Sequence, residues 1–122
     1  MPILNANYSS INHEEMAASI GLKSKHIPML ITSFIEESKQ ILDVLKESIS
    51  TKDYEKIRLN VHAIKGSAGN LKFTEIYEMA KEMEFAASAQ KSDFEYEIYF
   101  DAIKSAMGTI SHGTDKLNTE IA

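Results

Sequence analysis

The chain of 122 residues contains no cysteine, which excludes both a disulfide framework and a thiolate-bound metal. Proline occurs only at Pro2 and Pro28, so no later segment is broken by it. No run approaches the ~20 apolar residues of a membrane span. The first residues lack the basic-then-apolar form of a secretory signal, so a cytoplasmic location is expected. No G-x-x-x-x-G-K-[ST] loop or other glycine-rich cradle is present to hold a nucleotide. Basic charge is also scarce: 13 Lys and Arg stand against 18 Asp and Glu, a net charge of −5. That balance argues against nucleic acid or an anionic membrane as partner. What is present, 43% hydrophobic and 25% charged residues, suits one soluble domain with a single core.

The pattern predicts five helices and no strand. A short first helix starts near Asn12, where Glu15 completes a capping-box spacing, and ends before Gly21. The second begins between Ser24 and Pro28 and runs to about Ser50, burying Ile27, Ile31, Phe34, Ile41, Leu45 and Ile49. Asp53 caps the third. Lys72 and Phe73 form a turn, and Thr74 is the expected N-cap of the fourth, which packs Ile76, Ala80, Met83 and Ala87. Ser92 with Glu95 opens the fifth, whose stripe is Tyr96, Tyr99, Ile103, Ala106 and Ile110, fading past Gly108 and Gly113. Short connections make such helices antiparallel neighbours. The expected fold is therefore all-α: an antiparallel up-down four-helix bundle with a short additional N-terminal helix. One domain spans 1–122, its bundle core lies at about 24–112, and residues 1–10 and 113–122 are expected to fray.

One residue of the third helix stands apart. Tyr54, Ile57, Val61, Ile64, Ala68 and Leu71 recur in steps of three and four, and His62 lies roughly 130° from the centre of that stripe. Lys65, Gly66 and Gly69 share its flank at i+3, i+4 and i+7. Each glycine costs about 1 kcal/mol inside a helix. Gly69 could serve close helix packing, a frayed last turn or, with Gly66, partner access. Gly66 lies beside the imidazole and away from the core, where a bare backbone lets another protein approach the ring. Lys65 is either a snorkelling surface lysine or an ammonium that reaches an anion on the ring. Arg58, one turn earlier, has the same alternatives, and Arg58 and Ser67 are candidates for partner contact. Asn70 serves the helix end.

Positions 62 and 84 are equidistant from Phe73 in the turn, so Glu84 should sit level with His62. On a flank of its helix, Glu84 could accept the Nδ1–H bond and leave Nε2 as an outward nucleophile. The alternative is a solvated helix glutamate.

The run His62-x-x-Lys65-Gly66-Ser67, then Leu71 and Met83-Glu84, resembles the histidine-containing phosphotransfer (HPt) domains of two-component phosphorelays. The resemblance extends over the helix pattern from about Ser24 to Ile110. It implies that His62 carries a phosphoryl group at Nε2, that Lys65 helps hold it, and that Gly66 clears space for a receiver domain. It also implies a glutamine or glutamate where Glu84 stands. The implied partners are response-regulator receiver domains and a hybrid sensor histidine kinase. The chain itself would be a monomeric carrier with no kinase activity or cofactor, Mg²⁺ being expected on the receiver. Two positions depart from the pattern. Lys72 stands where members often have glycine, and the basic residue often found a turn after the acidic position is absent among Phe85, Ala86, Ala87 and Ser88.

Three rivals are distinguishable. A histidine-kinase dimerisation bundle typically has an acidic residue directly after the histidine, where Ala63 stands. A metal-binding bundle needs Glu-x-x-His pairs on facing helices, whereas His13, His26, His62 and His112 are scattered. A non-phosphorylated helical adaptor for protein docking would make His62 incidental. Ile11, Met16 and Ile20 become docking candidates if the first helix covers the His62 end.

Overall fold

The computed structural model describes the backbone of residues 3–121 and the side chains of residues 3–110. Five α-helices follow one another: α1 (His13–Ile20), α2 (Ile27–Ser50), α3 (Tyr54–Asn70), α4 (Thr74–Ser88) and α5 (Tyr96–Ile121). A 3₁₀ turn at Ser24–His26 leads into α2, where Pro28 occupies the first turn. Among the described residues there is no strand. Helix α2 packs on α3, α3 on α4, and α5 closes the ring against α4 and α2. The result is the expected up-down bundle, with α1 laid against α2. No helix among the described residues is long and apolar enough to cross a membrane.

Local chemistry explains most helix starts. The Asn12 side chain accepts from Glu15 N at 3.0 Å, and Gly21 ends α1 at φ 75°. Asp53 accepts from Lys56 N at 3.2 Å. Two expected caps differ. Helix α4 starts with Phe73 at the cap, and the Thr74 hydroxyl makes no capping bond. Burial of Phe73, with its ring against those of Tyr8 and Phe34, decides the point where the chain turns. Helix α5 opens at Tyr96 rather than beside Ser92, because Phe94 tucks its ring against Tyr96 and Tyr99. The expected stripe of α2 also shifts: Leu42 is buried in place of its neighbour Ile41, and Ile49 is only half-buried.

Three interhelical turns pass through left-handed residues that are not glycine: Lys52 (φ 56°), Lys72 (φ 63°) and Gln90 (φ 53°). At each, the N–H of the following residue closes a wide turn back onto the preceding helix, as Phe73 N does to Ala68 O at 2.9 Å. A side chain in this region costs roughly 1–2 kcal/mol. Lys72→Gly should therefore raise stability by about 1 kcal/mol, read as a higher urea midpoint with an unchanged slope. Lys72 is thus a backbone departure before it is a partner-facing one.

Within the N-terminal segment of residues 3–10, Ile3, Ala6 and Tyr8 are half-buried against the core. Tyr8 N donates to Thr109 Oγ1 at 2.8 Å, its hydroxyl donates to Glu75, and its ring meets Phe73 edge-on at 4.8 Å. This strap covers the end of the bundle that holds the α3–α4 turn. Ile11, Met16 and Ile20 are half-buried against the core. Tyr8→Ala should destabilise by about 1–3 kcal/mol, visible as a lower thermal midpoint, because ring and hydroxyl partners are lost together. The fraying expected at 113–122 concerns side chains outside the described residues.

Candidate functional site

Helix α3 buries Ile57, Val61, Ile64 and Ala68 completely, which fixes its rotation and turns His62 outward. The His62 side chain is 64% exposed. Helix α4 is locked in the same way by Ile76, Met79, Ala80 and Met83, leaving Glu84 on the flank that faces α3. With Phe73 in the turn between them, the two side chains come level. His62 Nδ1 is hydrogen-bonded to Glu84 Oε2, and Lys65 Nζ donates to Glu84 Oε1 at 2.5 Å. Glu84 is thus bridged by both residues of α3.

An ionised carboxylate can only accept, so Nδ1 must be the donor. In the neutral ring the other nitrogen, Nε2, then carries the lone pair. Burial opposes ionisation of Glu84, but the bonds from Lys65 and His62 outweigh it and hold the carboxyl below the usual carboxylate range. The bond to Glu84 holds the Lys65 ammonium above its ordinary range.

The sign of each shift sets a pH window. Glu84 contributes stability that is fully present above its ordinary value of 4.5 and is lost as pH falls through the lower folded value. Lys65 contributes stability that is fully present below its ordinary value of 10.5 and is lost as pH rises through the higher folded value. The thermal midpoint of the wild type should exceed that of Glu84→Gln across this window. The difference should shrink as the solution is made more acid than about pH 4.

The other expected residues are distributed differently. A Cβ on Gly66 would meet nothing within 4 Å, so the backbone there is open to the outside. Gly69 is not open, because a Cβ there would meet the Tyr77 ring at 3.2 Å. Its bare backbone makes room for the Tyr77 ring of α4, as close helix packing would require. Arg58 is held by Glu55 through bonds of 3.1 and 2.5 Å and makes no bond with His62. Ser67 is half-buried and makes no hydrogen bond to the His62–Glu84–Lys65 group.

Two features of the site are not legible in the sequence. The Lys65–Glu84 bond is one, since helical spacing alone turns Lys65 toward an anion on the ring. The other is Phe85, 69% exposed beside Glu84, with the Lys91 ammonium 5.4 Å from its ring centre. Lys91 lies beyond the end of α4, so helical spacing cannot pair it with that face, and the α4–α5 turn brings it back. Among the described residues, no three His, Asp or Glu side chains gather as a metal site would need.

The family model described as "Hpt domain" matches residues 29–112, from the first turn of α2 into α5, and takes in the whole His62–Lys65–Glu84 group. No curated protein and no solved structure gives a significant match to the chain.

Proposed function

The chain belongs to the Hpt domain family, and from that premise we propose that His62 accepts a phosphoryl group from a receiver-domain aspartyl phosphate and passes it to a second receiver. The family assigns a phosphotransfer role in two-component signalling, and its members are phosphocarriers rather than kinases. The observation that carries the finer reading is the exposed imidazole bonded through Nδ1 to Glu84.

In this reading the neutral ring attacks phosphorus in line through its Nε2 lone pair. The N–P bond forms as the aspartyl O–P bond breaks, and that electron pair leaves with the aspartate carboxylate. Glu84 orients the ring by accepting from Nδ1, which keeps its proton, so no proton need move. Lys65, one turn away, offsets charge on the phosphoryl oxygens. Gly66 leaves the approach beside the ring open. The receiver would contribute Mg²⁺, and this chain would need no cofactor of its own. The partners are receiver domains and the hybrid sensor kinase that feeds them, met by a monomer in the cytoplasm.

The test is incubation with a phosphorylated receiver domain, followed by intact-mass measurement. A gain of one acid-labile phosphoryl group is expected. If the folded protein takes none from any phosphorylated receiver or from a small phosphoramidate, a non-phosphorylated docking bundle becomes the better account.

A further inference from the structure

In the resting protein the Lys65 ammonium already has a partner, Glu84 Oε1, while Oε2 of the same carboxylate takes the imidazole. Phosphoryl transfer asks for that ammonium on the other side of the ring. We propose that loading His62 hands Lys65 from Glu84 to the phosphoryl group, while Glu84 stays behind as counter-ion to the imidazolium that loading creates. This inference rests on the phosphotransfer reading of His62.

Charge accounting supports the exchange. At rest, carboxylate and ammonium are paired and the ring is neutral. Attack turns the Nε2 lone pair into the N–P bond, and the donor's O–P electrons leave with its carboxylate. The Nδ1 proton stays, so the ring becomes a cation and gains an anion of about −1.5 to −2. If Lys65 remained on Glu84, that carboxylate would have two cations and the phosphoryl group no ammonium. After the exchange, the ammonium pairs with the phosphoryl group and the carboxylate with the imidazolium. Every charge has a partner in both states.

The side chains suit this movement. The side chains of Glu84 and Lys65 are 18% and 23% exposed, so their neighbours partly shield them. Lys65 follows His62 by three residues on one helix flank, so its stem starts beside the imidazole. A lysine carries three donors on a flexible stem and can change acceptors, whereas an arginine fork would stay matched to the carboxylate. The phosphoryl group presents three strong acceptor oxygens and the greater charge. Glu84 is therefore a positioning residue with two duties: it holds the ring proton throughout and stores the ammonium between turnovers.

The experiment follows the Lys65 ¹³Cε resonance through pH titration in ¹³C-lysine-labelled protein, assigned by Lys65→Arg. In the resting wild type the resonance should titrate above the ordinary lysine range. In Glu84→Gln it should fall back to the ordinary lysine range, and Glu84→Ala should do the same, guarding against an effect peculiar to the amide. Loading His62, from a phosphorylated receiver or a phosphoramidate, should shift the wild-type resonance while keeping its titration high. An unchanged titration in both variants would overturn the resting pair. An unmoved resonance on loading would overturn the exchange. A wild type that cannot be loaded at all would instead defeat the phosphotransfer reading and the exchange with it, while the variants' titrations still report separately on the resting pair.

Discussion

His62→Gln should leave no stable phosphoryl adduct from either a receiver or a small phosphoramidate, while unfolding within about 0.5 kcal/mol of the wild type. The two halves of this result have separate causes. Loss of the adduct is complete because an amide offers no nitrogen lone pair that can displace a carboxylate from phosphorus. Stability is nearly untouched because the imidazole is mostly exposed and contributes nothing to the core formed by Val61 and Ile64 beneath it. Glu84 also retains Lys65 as its charge partner, so removing the ring leaves no unpaired buried carboxylate. Intact mass and thermal unfolding on the same sample measure both halves. A phosphoryl group that persists on the variant would move the chemistry to another residue.

Gly66 gives the second large effect, with stability and function moving in opposite directions. Gly66→Ala should stabilise the protein by about 1 kcal/mol, since α3 gains helix propensity and the new methyl meets no neighbour within 4 Å. Gly66→Leu should keep much of that gain but cut transfer from a receiver by roughly 10–100-fold. The leucine occupies space beside the imidazole, and overpacking an interface by this much costs roughly 1–3 kcal/mol. Loading by a small phosphoramidate should be nearly unaffected, because a small donor needs only Nε2. Gly69→Ala is the control. It gains the same propensity but must displace the Tyr77 ring, so it should stabilise less than Gly66→Ala, and it should leave receiver transfer nearly unchanged. Equal loss of receiver transfer in Gly66→Leu and Gly69→Ala would remove the special role of position 66.

Much of this site is legible in the amino-acid sequence because it depends on two short-range regularities. The apolar period of α3 fixes which way His62 faces. The tightness of the α3–α4 hairpin then makes Glu84 level with it, since Phe73 lies midway between them. Neither inference needs a long-range contact. Lys65 is different: its stem can reach several acceptors, and only the rotation of α4 brings Glu84 Oε1 within 2.5 Å. The starts of α4 and α5 differ from the expected caps for a related reason. Capping residues compete locally, whereas Phe73 is fixed by rings from other segments and Phe94 by the rings of Tyr96 and Tyr99 at the start of α5. In α2 the neighbours Ile41 and Leu42 are equally apolar, and only packing in the assembled core selects Leu42. Ser48 is buried in place of Ile49, and it can be because its hydroxyl donates to Val44 O at 2.8 Å. Left-handed turns at Lys52, Lys72 and Gln90 carry no glycine to mark them in the sequence.

The most direct measurement is NMR of the loaded protein, identifying which imidazole nitrogen carries the phosphoryl group. The account predicts one phosphohistidine, at position 62, with phosphorus on Nε2 and a hydrogen-bonded proton retained on Nδ1. Phosphorus on Nδ1, or on any residue other than His62, would contradict it, because Glu84 occupies the Nδ1 side of the ring.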